Sequence, residues 1–326
     1  MQQIEIPWHE AATLMWDDDE VVDVTSGQRG NFAGSLTSRL LNMTFRFDRA
    51  IGLRSHGVLW AVAYTNRSTK AVLMKNDSVH RELNRSFYCA GAYDYPIALG
   101  LGGGDRVVVV HCPSKFDLLE IEDAETGAVL DSLRSRDMEF HSRLSLSTDG
   151  RLLVDAGWFW HPWCGAAVFQ ITQADDGSVQ FKKDTAFSTV FSTRNEIDSV
   201  AFLGNTRLAV SSVSDYLGEE PEPGSLCPKQ LGIWSLSERR WESKVDVSEP
   251  IGMMMAWKEW IVSFYDHPKL IELSTGRVIH RWDKIYSGKQ LGPIELGDPP
   301  PPPMATDAGK GRFAVANSKT VTLVSL

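Results

Sequence analysis

A strand-rich unit recurs along this chain, and the repeat constrains the fold more than any single residue. Each unit reads as a short apolar strand, a tight turn, a strong β-branched strand, a polar loop, a third strand ending in an acidic or Ser/Thr-Gly turn, and a final strand. Residues 144–181 show the plan: Leu144–Ser147, the turn Thr148–Arg151, Leu152–Gly157, a loop, Ala166–Ile171, the turn Asp175–Ser178, then Val179–Phe181. The same order recurs in 97–133, 199–247 and 252–282, and in units opening near Ala50 and Met304. First strands begin near 51, 97, 144, 199, 252 and 304, at intervals of about 46–56 residues. A unit built from about 11–35 makes the seventh. One such unit leaves two sheet faces and an edge in water. Packing units face to face around an axis buries the faces and leaves only short edges.

Composition excludes several alternatives. Lys and Arg number 33 against 42 Asp and Glu, a net charge of −9, which opposes a nucleic-acid partner. No apolar run approaches the ~18 residues of a membrane span. Met1–Pro7 has neither the basic nor the apolar part of a signal peptide. The four cysteines, Cys89, Cys112, Cys164 and Cys227, show no C-x-x-C spacing, so free thiols in a cytoplasmic protein are expected. Helical periodicity is weak throughout. Residues 36–47 come nearest to it and read equally well as an irregular strand.

Particular motifs carry a family resemblance. Ser147-Thr148-Asp149-Gly150-Arg151 is similar to the Ser-Pro-Asp-Gly turn between first and second strands of a WD-repeat-like blade. Leu231–Leu236 (LGIWSL) resembles the third-strand Ile-Trp-Asp signature, and Asp123–Val129 and Leu273–Val278 its Thr-Gly turn. The chain thus resembles the β-propeller superfamily, WD-repeat-like and quinoprotein-like, over nearly its whole length. The Gly-His of a WD repeat is absent, and Ser235 stands where its Asp would be. The single Trp-Asp pair, Trp282-Asp283, ends a fourth strand. The resemblance implies an all-β, seven-bladed propeller of four-stranded antiparallel blades, one domain over residues 1–326. The N-terminal strand would supply the fourth strand of the last blade and close the ring.

In such a ring, the loops between second and third strands and those between successive blades share one face, the top. The aromatics, prolines and four of the histidines collect there. Trp158-Phe159-Trp160-His161-Pro162-Trp163 stands out, because three Trp and a Phe are costly to leave in water. They plug the blade tops or form an aromatic binding centre. Trp158, Trp160, His161 and Trp163, with His141, Tyr93, Asp94, Tyr95 and Arg194, are the candidate binding residues. An alternative makes His111, His141, His161 and His267 the metal ligands or general bases of an axial funnel, although no H-E-x-x-H or H-x-H motif is present. The glycines of Leu101–Asp105 lack the Lys-Ser/Thr of a phosphate loop and read as a turn. Asp215–Gln230, with Glu219, Glu220 and Glu222, reads as a solvated insertion or an arm for a basic partner. Pro299–Pro303 reads as a rigid connector, and Met253–Met255 as part of an innermost strand.

The expected function is a monomeric, non-enzymatic module of cytoplasmic, bacterial type. It would hold another protein on its top face, as a scaffold or by neutralising a toxin, with no cofactor, nucleic acid or membrane involved. The competing expectation is a metal-dependent lyase or hydrolase acting on a sugar-like ligand in the funnel.

Overall fold

The computed structural model describes residues 1–39, 41, 43, 45–134, 139–159, 164–174, 178–183, 196–212, 224–294 and 300–326. The chain opens with β1 (Gln2–Pro7). Blade 1 follows as β2 (Leu14–Asp17), β3 (Glu20–Asp23), β4 (Gln28–Asn31) and β5 (Leu36–Ser38). Blade 2 is β6 (Arg49–Ser55), β7 (Val58–Tyr64), β8 (Lys70–Lys75) and β9 (Ser78–Asn84). Blade 3 is β10 (Ile97–Leu101), β11 (Val107–His111), β12 (Leu118–Asp123) and β13 (Val129–Arg134). A short strand, β14 (Glu139–Phe140), precedes blade 4, which is β15 (Ser145–Leu146), β16 (Leu152–Asp155), β18 (Ala167–Gln173) and β19 (Val179–Lys183). Between β16 and β18 lies β17 (Trp158–Phe159). Blade 5 is β20 (Ile197–Leu203), β21 (Arg207–Ser212), β22 (Gln230–Ser235) and β23 (Arg240–Asp246). Blade 6 is β24 (Met254–Trp257), β25 (Trp260–Ser263), β26 (Lys269–Glu272) and β27 (Val278–Arg281). Blade 7 is β28 (Met304–Asp307), β29 (Arg312–Ala316) and β30 (Thr320–Ser325), and β1 is its fourth strand.

Every blade is antiparallel, and first strands lie beside first strands around the axis. The expected seven-bladed β-propeller is therefore present, closed by the N-terminal strand. The segment 36–47 contributes β5 rather than a helix.

Burial follows radial position. Second strands have neighbours on both faces and both edges, so they read as nearly continuous apolar runs. β7 (VLWAVAY) and β29 (RFAVA) are buried almost throughout. Outer strands such as β9, β13 and β23 alternate with charged residues and are largely open. Among the described residues the apolar side chains fall into seven clusters, one between each pair of adjacent blades, including the pair formed by blades 7 and 1. The core of this molecule is thus a ring of interfaces. Apolar burial at about 25 cal/mol per Å2 acts between blades more than within them.

Turn glycines let the units approach one another. Gly150, in the Thr-Asp-Gly turn, has φ +68°, and a Cβ there would sit 2.2 Å from the Leu101 carbonyl oxygen of blade 3. Gly276, in a Thr-Gly turn, has φ +70° and meets Asp246 O the same way at 2.1 Å. An L side chain fails at both positions on backbone conformation and on space.

A recurring polar device ties the entering loops of blades 1, 4 and 6 to their blades. The last residue of several second strands is short and polar. Asp23 accepts from Ala12 N at 2.8 Å and from Thr13 Oγ1 at 2.5 Å. Asp155 accepts from Ser142 N at 2.9 Å, and Ser263 Oγ donates to Ile251 O at 2.8 Å. Each satisfies buried backbone or hydroxyl groups of the loop entering its own blade.

Candidate functional site

The top face is organised from its loops. Arg85, just after β9, is buried between the rings of Tyr93 and Tyr95, its guanidinium carbon 4.5 and 4.8 Å from their centroids. It donates to the carbonyls of Ser68 (2.9 Å), Asp94 (3.3 Å), Asn66 (3.3 Å), Tyr93 (3.2 Å) and Ala90. Burial pulls its pKa below the usual arginine value. Cation–π contact and charge-assisted bonds to carbonyls hold it there. The loop between blades 2 and 3 is thereby locked at its base, and its tip projects. Phe87 is 85% exposed and Tyr88 42%.

Tyr88 begins a ladder of stacked rings. It lies 5.0 Å from Phe116, Phe116 lies 4.3 Å from Phe140, and Phe140 lies 4.3 Å from Trp158. Tyr93 meets Phe140 edge-on at 5.3 Å. The rungs come from separate places: the loop entering blade 3, the second-to-third loop of blade 3, and a two-stranded ribbon in which β14 pairs with β17. Phe140 is buried and Phe116 and Trp158 are half-buried. The ladder therefore climbs from the interior to the exposed Tyr88.

A strap crosses this face. The connection between blades 6 and 7 leaves its own blade, where Ser287 N donates to Asp266 O at 2.8 Å. It then crosses to loops of blades 2 to 4. Arg143 donates to Leu291 O at 2.8 Å, to Gly292 O at 2.5 Å and to Asp198 O at 2.9 Å. Asp94 N and Arg67 Nη1 donate to Pro293 O at 2.9 and 3.3 Å, and Tyr93 bridges Ile294. The Asp94 carboxylate accepts from Arg143 Nε (2.8 Å), Asn66 Nδ2 (2.7 Å) and Gln290 Nε2 (3.0 Å), and pairs with Arg67 at 3.2 Å. Burial alone would raise its pKa, but Arg143 and Arg67 outweigh that and hold it below the usual carboxylate value. Nearby Asp198 goes the other way. Burial pushes it to about 7, opposed by Arg143 and reinforced by Glu196.

The residues singled out in the sequence divide accordingly. Tyr93, Asp94, Tyr95 and His141 are all buried. They were expected on an open surface because they lie in inter-blade loops. The strap covers Tyr93 and Asp94, and Arg85 fills the space between Tyr93 and Tyr95. Trp158 is half-buried in the ladder. Trp160, His161, Trp163 and Arg194 lie outside the described residues. So does 213–223, which holds most of the expected acidic loop.

Three of the four candidate metal histidines have other partners. His111 closes β11 and donates through Nε2 to Glu122 at 2.9 Å. Burial would raise the Glu122 carboxyl, but His111 and Arg81 hold it low. His141 Nδ1 donates to Asp155 at 2.6 Å, and His267 Nδ1 to Ile285 O at 2.8 Å. Among the described residues no three His, Cys, Asp or Glu side chains form a group able to ligate a metal. All four cysteines are free.

Sequence reading missed Phe87, Tyr88, Phe116 and Phe140 as one surface. The available signal was Phe87-Tyr88, an aromatic pair between two strand signals in a stretch without charge. Arg85 and Arg143 were missed as organisers, since a lone arginine in a loop reads as solvated.

No protein-family model matches the chain, and no curated protein matches it either. Solved structures do resemble it. A streptogramin B lyase structure superposes with a TM-score of 0.55 at 12% identity, covering 100% of this chain and 98% of that one. The computationally designed protein Ika8 gives 0.50 at 12% identity, covering 99% and 98%. The β-propeller domain of Cps50 (Swd1) from Myceliophteria thermophila gives 0.44 at 12%, covering 97% and 83%. The first two agree with the ring of blades described above. At this identity the likeness is one of fold, and fold does not fix function.

Proposed function

We propose that this protein is a non-enzymatic binding module that holds another protein against the rim of its top face. It would act as a scaffold or as a neutralising partner, as a single chain in the cytoplasm. The contact surface is the exposed end of the ladder, Tyr88 and Phe116, with Phe87 beside it in sequence; Trp158 is proposed to take part, as are Trp160, His161 and Trp163, which lie outside the described residues. One observation carries the reading: Phe87 and Tyr88 stand exposed at the tip of a loop whose base is fixed by Arg85. Exposed aromatics on a rigid support bind at low ordering cost, and such side chains dominate interface energetics. The strap shifts the reading from the axis to the rim, because the chain itself crosses this face from blade 6 to the loops of blades 2 to 4. That same strap counts against a lyase or hydrolase fed through an axial funnel on this face, as do the separate partners of His111, His141 and His267.

The test is capture of the host's partner by the wild type and by a Phe87→Ala/Tyr88→Ala variant, with hydrogen exchange of the complex. The partner should bind stoichiometrically and protect residues 86–92. Affinity for the double variant should drop about 30-fold or more, as for a hot-spot pair worth ~2 kcal/mol. A Val79→Ala/Val129→Ala variant, altered at exposed apolar sites on outer strands, should bind normally. Full binding by the Phe87/Tyr88 variant would overturn the reading.

A further inference from the structure

A cleft of about 600 Å3 opens between blades 1 and 2, away from the aromatic ladder. That volume falls within the range of small-molecule sites. Its chemistry is unusual for a protein of net charge −9. Three of its nine lining residues are arginines, Arg29, Arg39 and Arg54, and one, Leu59, is apolar. Thr37, Ser38 and Asn76 add two hydroxyls and an amide.

The arginines are paired but not used up. Arg54 grips the buried Asp17 with two bonds, Nε at 2.7 Å and Nη2 at 2.6 Å. Arg29 meets Asp17 at 2.9 Å and Glu20 at 3.3 Å, both through Nη1. Arg39 meets Asp77 at 2.8 Å, also through Nη1 alone. Among the described residues, Nε and Nη2 of Arg29 and of Arg39 therefore have no partner, and neither do the Thr37 and Ser38 hydroxyls. Asn76 turns its Oδ1 to Leu59 N at 3.1 Å, which leaves its two amide hydrogens unused among the same residues.

We propose that this cleft binds a phosphate-bearing small molecule through Arg29, Arg39, Thr37, Ser38 and Asn76. The spare donors belong to two guanidinium forks, two hydroxyls and an amide. A planar carboxylate saturates one fork. A phosphate has three oxygens facing different directions and takes donors from several side chains at once. Charge sets the condition for binding. Asp17 neutralises one guanidinium from behind, and Glu20 and Asp77 offset the other two. Binding therefore requires Asp77 to leave Arg39. Both partners of that pair are exposed, at 71% and 39%, and exposed pairs are weak and easily exchanged. Asp77 thus acts as a replaceable stand-in for the ligand's anion.

The experiment is calorimetric titration at low salt with inorganic phosphate, glucose 6-phosphate and glucose. Inorganic phosphate should bind and glucose should not. Tighter binding of glucose 6-phosphate would assign the cleft to a phosphomonoester. Its exclusion would assign the cleft to the free ion. Arg39→Gln should weaken binding about 10-fold and Asp77→Asn should tighten it about 3-fold or more, as removal of one partner or one competitor implies. Both changes are at the surface, so folding is not at stake. Glu125→Gln removes an exposed carboxylate elsewhere and should change nothing. Absence of phosphate binding would overturn the proposal. So would equal affinities for wild type, Arg39→Gln and Asp77→Asn, or a Glu125→Gln effect matching that of Asp77→Asn. The aromatic ladder is untouched by these variants, so either result is independent of the partner-capture experiment.

Discussion

Asp94 and Asp198 lie near the same guanidinium, that of Arg143, and burial and charge leave them on opposite sides of the usual carboxylate value. Asp94 is held low in the folded protein. Its contribution to stability is present in full above the unfolded value of about 3.8 and is lost as pH falls through the depressed folded value. Asp198 is raised to about 7 from 3.8. Below 3.8 it costs nothing. Above that, the folded protein retains a proton that the unfolded chain releases, so stability falls as pH rises toward 7. Each pH unit separating the folded and unfolded values is worth about 1.4 kcal/mol, so the effect is on the order of several kcal/mol. An Asp198→Asn variant mimics the protonated acid and has nothing to titrate. Urea unfolding of the wild type should therefore show stability declining between pH 5 and pH 7, and the variant should be flatter over that window and more stable at pH 8. Equal slopes for the two proteins would remove Asp198 as the titrating group.

At the level of elements, the blade strands were legible and the inter-blade loops were not. Second strands are buried on both faces, so β7, β11, β21 and β29 announce themselves as apolar β-branched runs. The turns at Gly150 and Gly276 are close approaches between neighbouring blades, which only glycine permits. Loops follow no such periodicity. Tyr93, Tyr95 and His141 sit in connections, and connections usually face water. Here a segment some 200 residues further along the chain, Gly288–Ile294, lies over Tyr93 and Asp94, and no local pattern encodes that contact. Arg85 makes the case testable. Its fork serves five carbonyls and its plane stacks between two rings, which an ammonium on a flexible stem cannot reproduce. Arg85→Lys keeps the charge, yet it should cost about 2–3 kcal/mol by leaving buried carbonyls unpaired. Hydrogen exchange across residues 86–96 should accelerate while the strands of blades 2 and 3 stay protected. A Lys variant with wild-type exchange and stability would show that charge alone holds the loop.

For the whole molecule, the question is what holds a ring of seven interfaces shut. The sequence showed the answer in outline, since the last unit offers three strands and the chain begins with a strand signal. The structure supplies the register: Gln2–Pro7 pairs antiparallel with Thr320–Ser325, and Trp8 N donates to Lys319 O at 2.8 Å. Ile6 and Trp8 are buried in the cluster between blades 7 and 1. Across the same seam Arg312, held by Asp307 of its own blade at 2.9 Å, lies 4.1 Å from the Trp16 ring and bonds Asp19 at 3.2 Å and the Asp18 carbonyl. Joining chain ends this far apart costs entropy, but that cost grows only with the logarithm of loop length. A modest set of contacts can therefore close the ring, and the ring depends on them. Opening the seam uncovers two apolar blade faces and the edge of β30, whereas damage to the outer strand of another blade uncovers one edge and leaves the ring closed. Ile6→Asp, which puts a charge into the closed seam, should cost more than about 3 kcal/mol. It should also broaden the unfolding transition, as blades next to the open seam lose a neighbour. The same chemistry at Leu36, exposed on the outer strand of blade 1, should cost less than about 0.5 kcal/mol. Comparing urea midpoints and slopes for the two variants separates the contributions. If Leu36→Asp proves as damaging as Ile6→Asp, stability does not reside in closure and the blades stand on their own sheets.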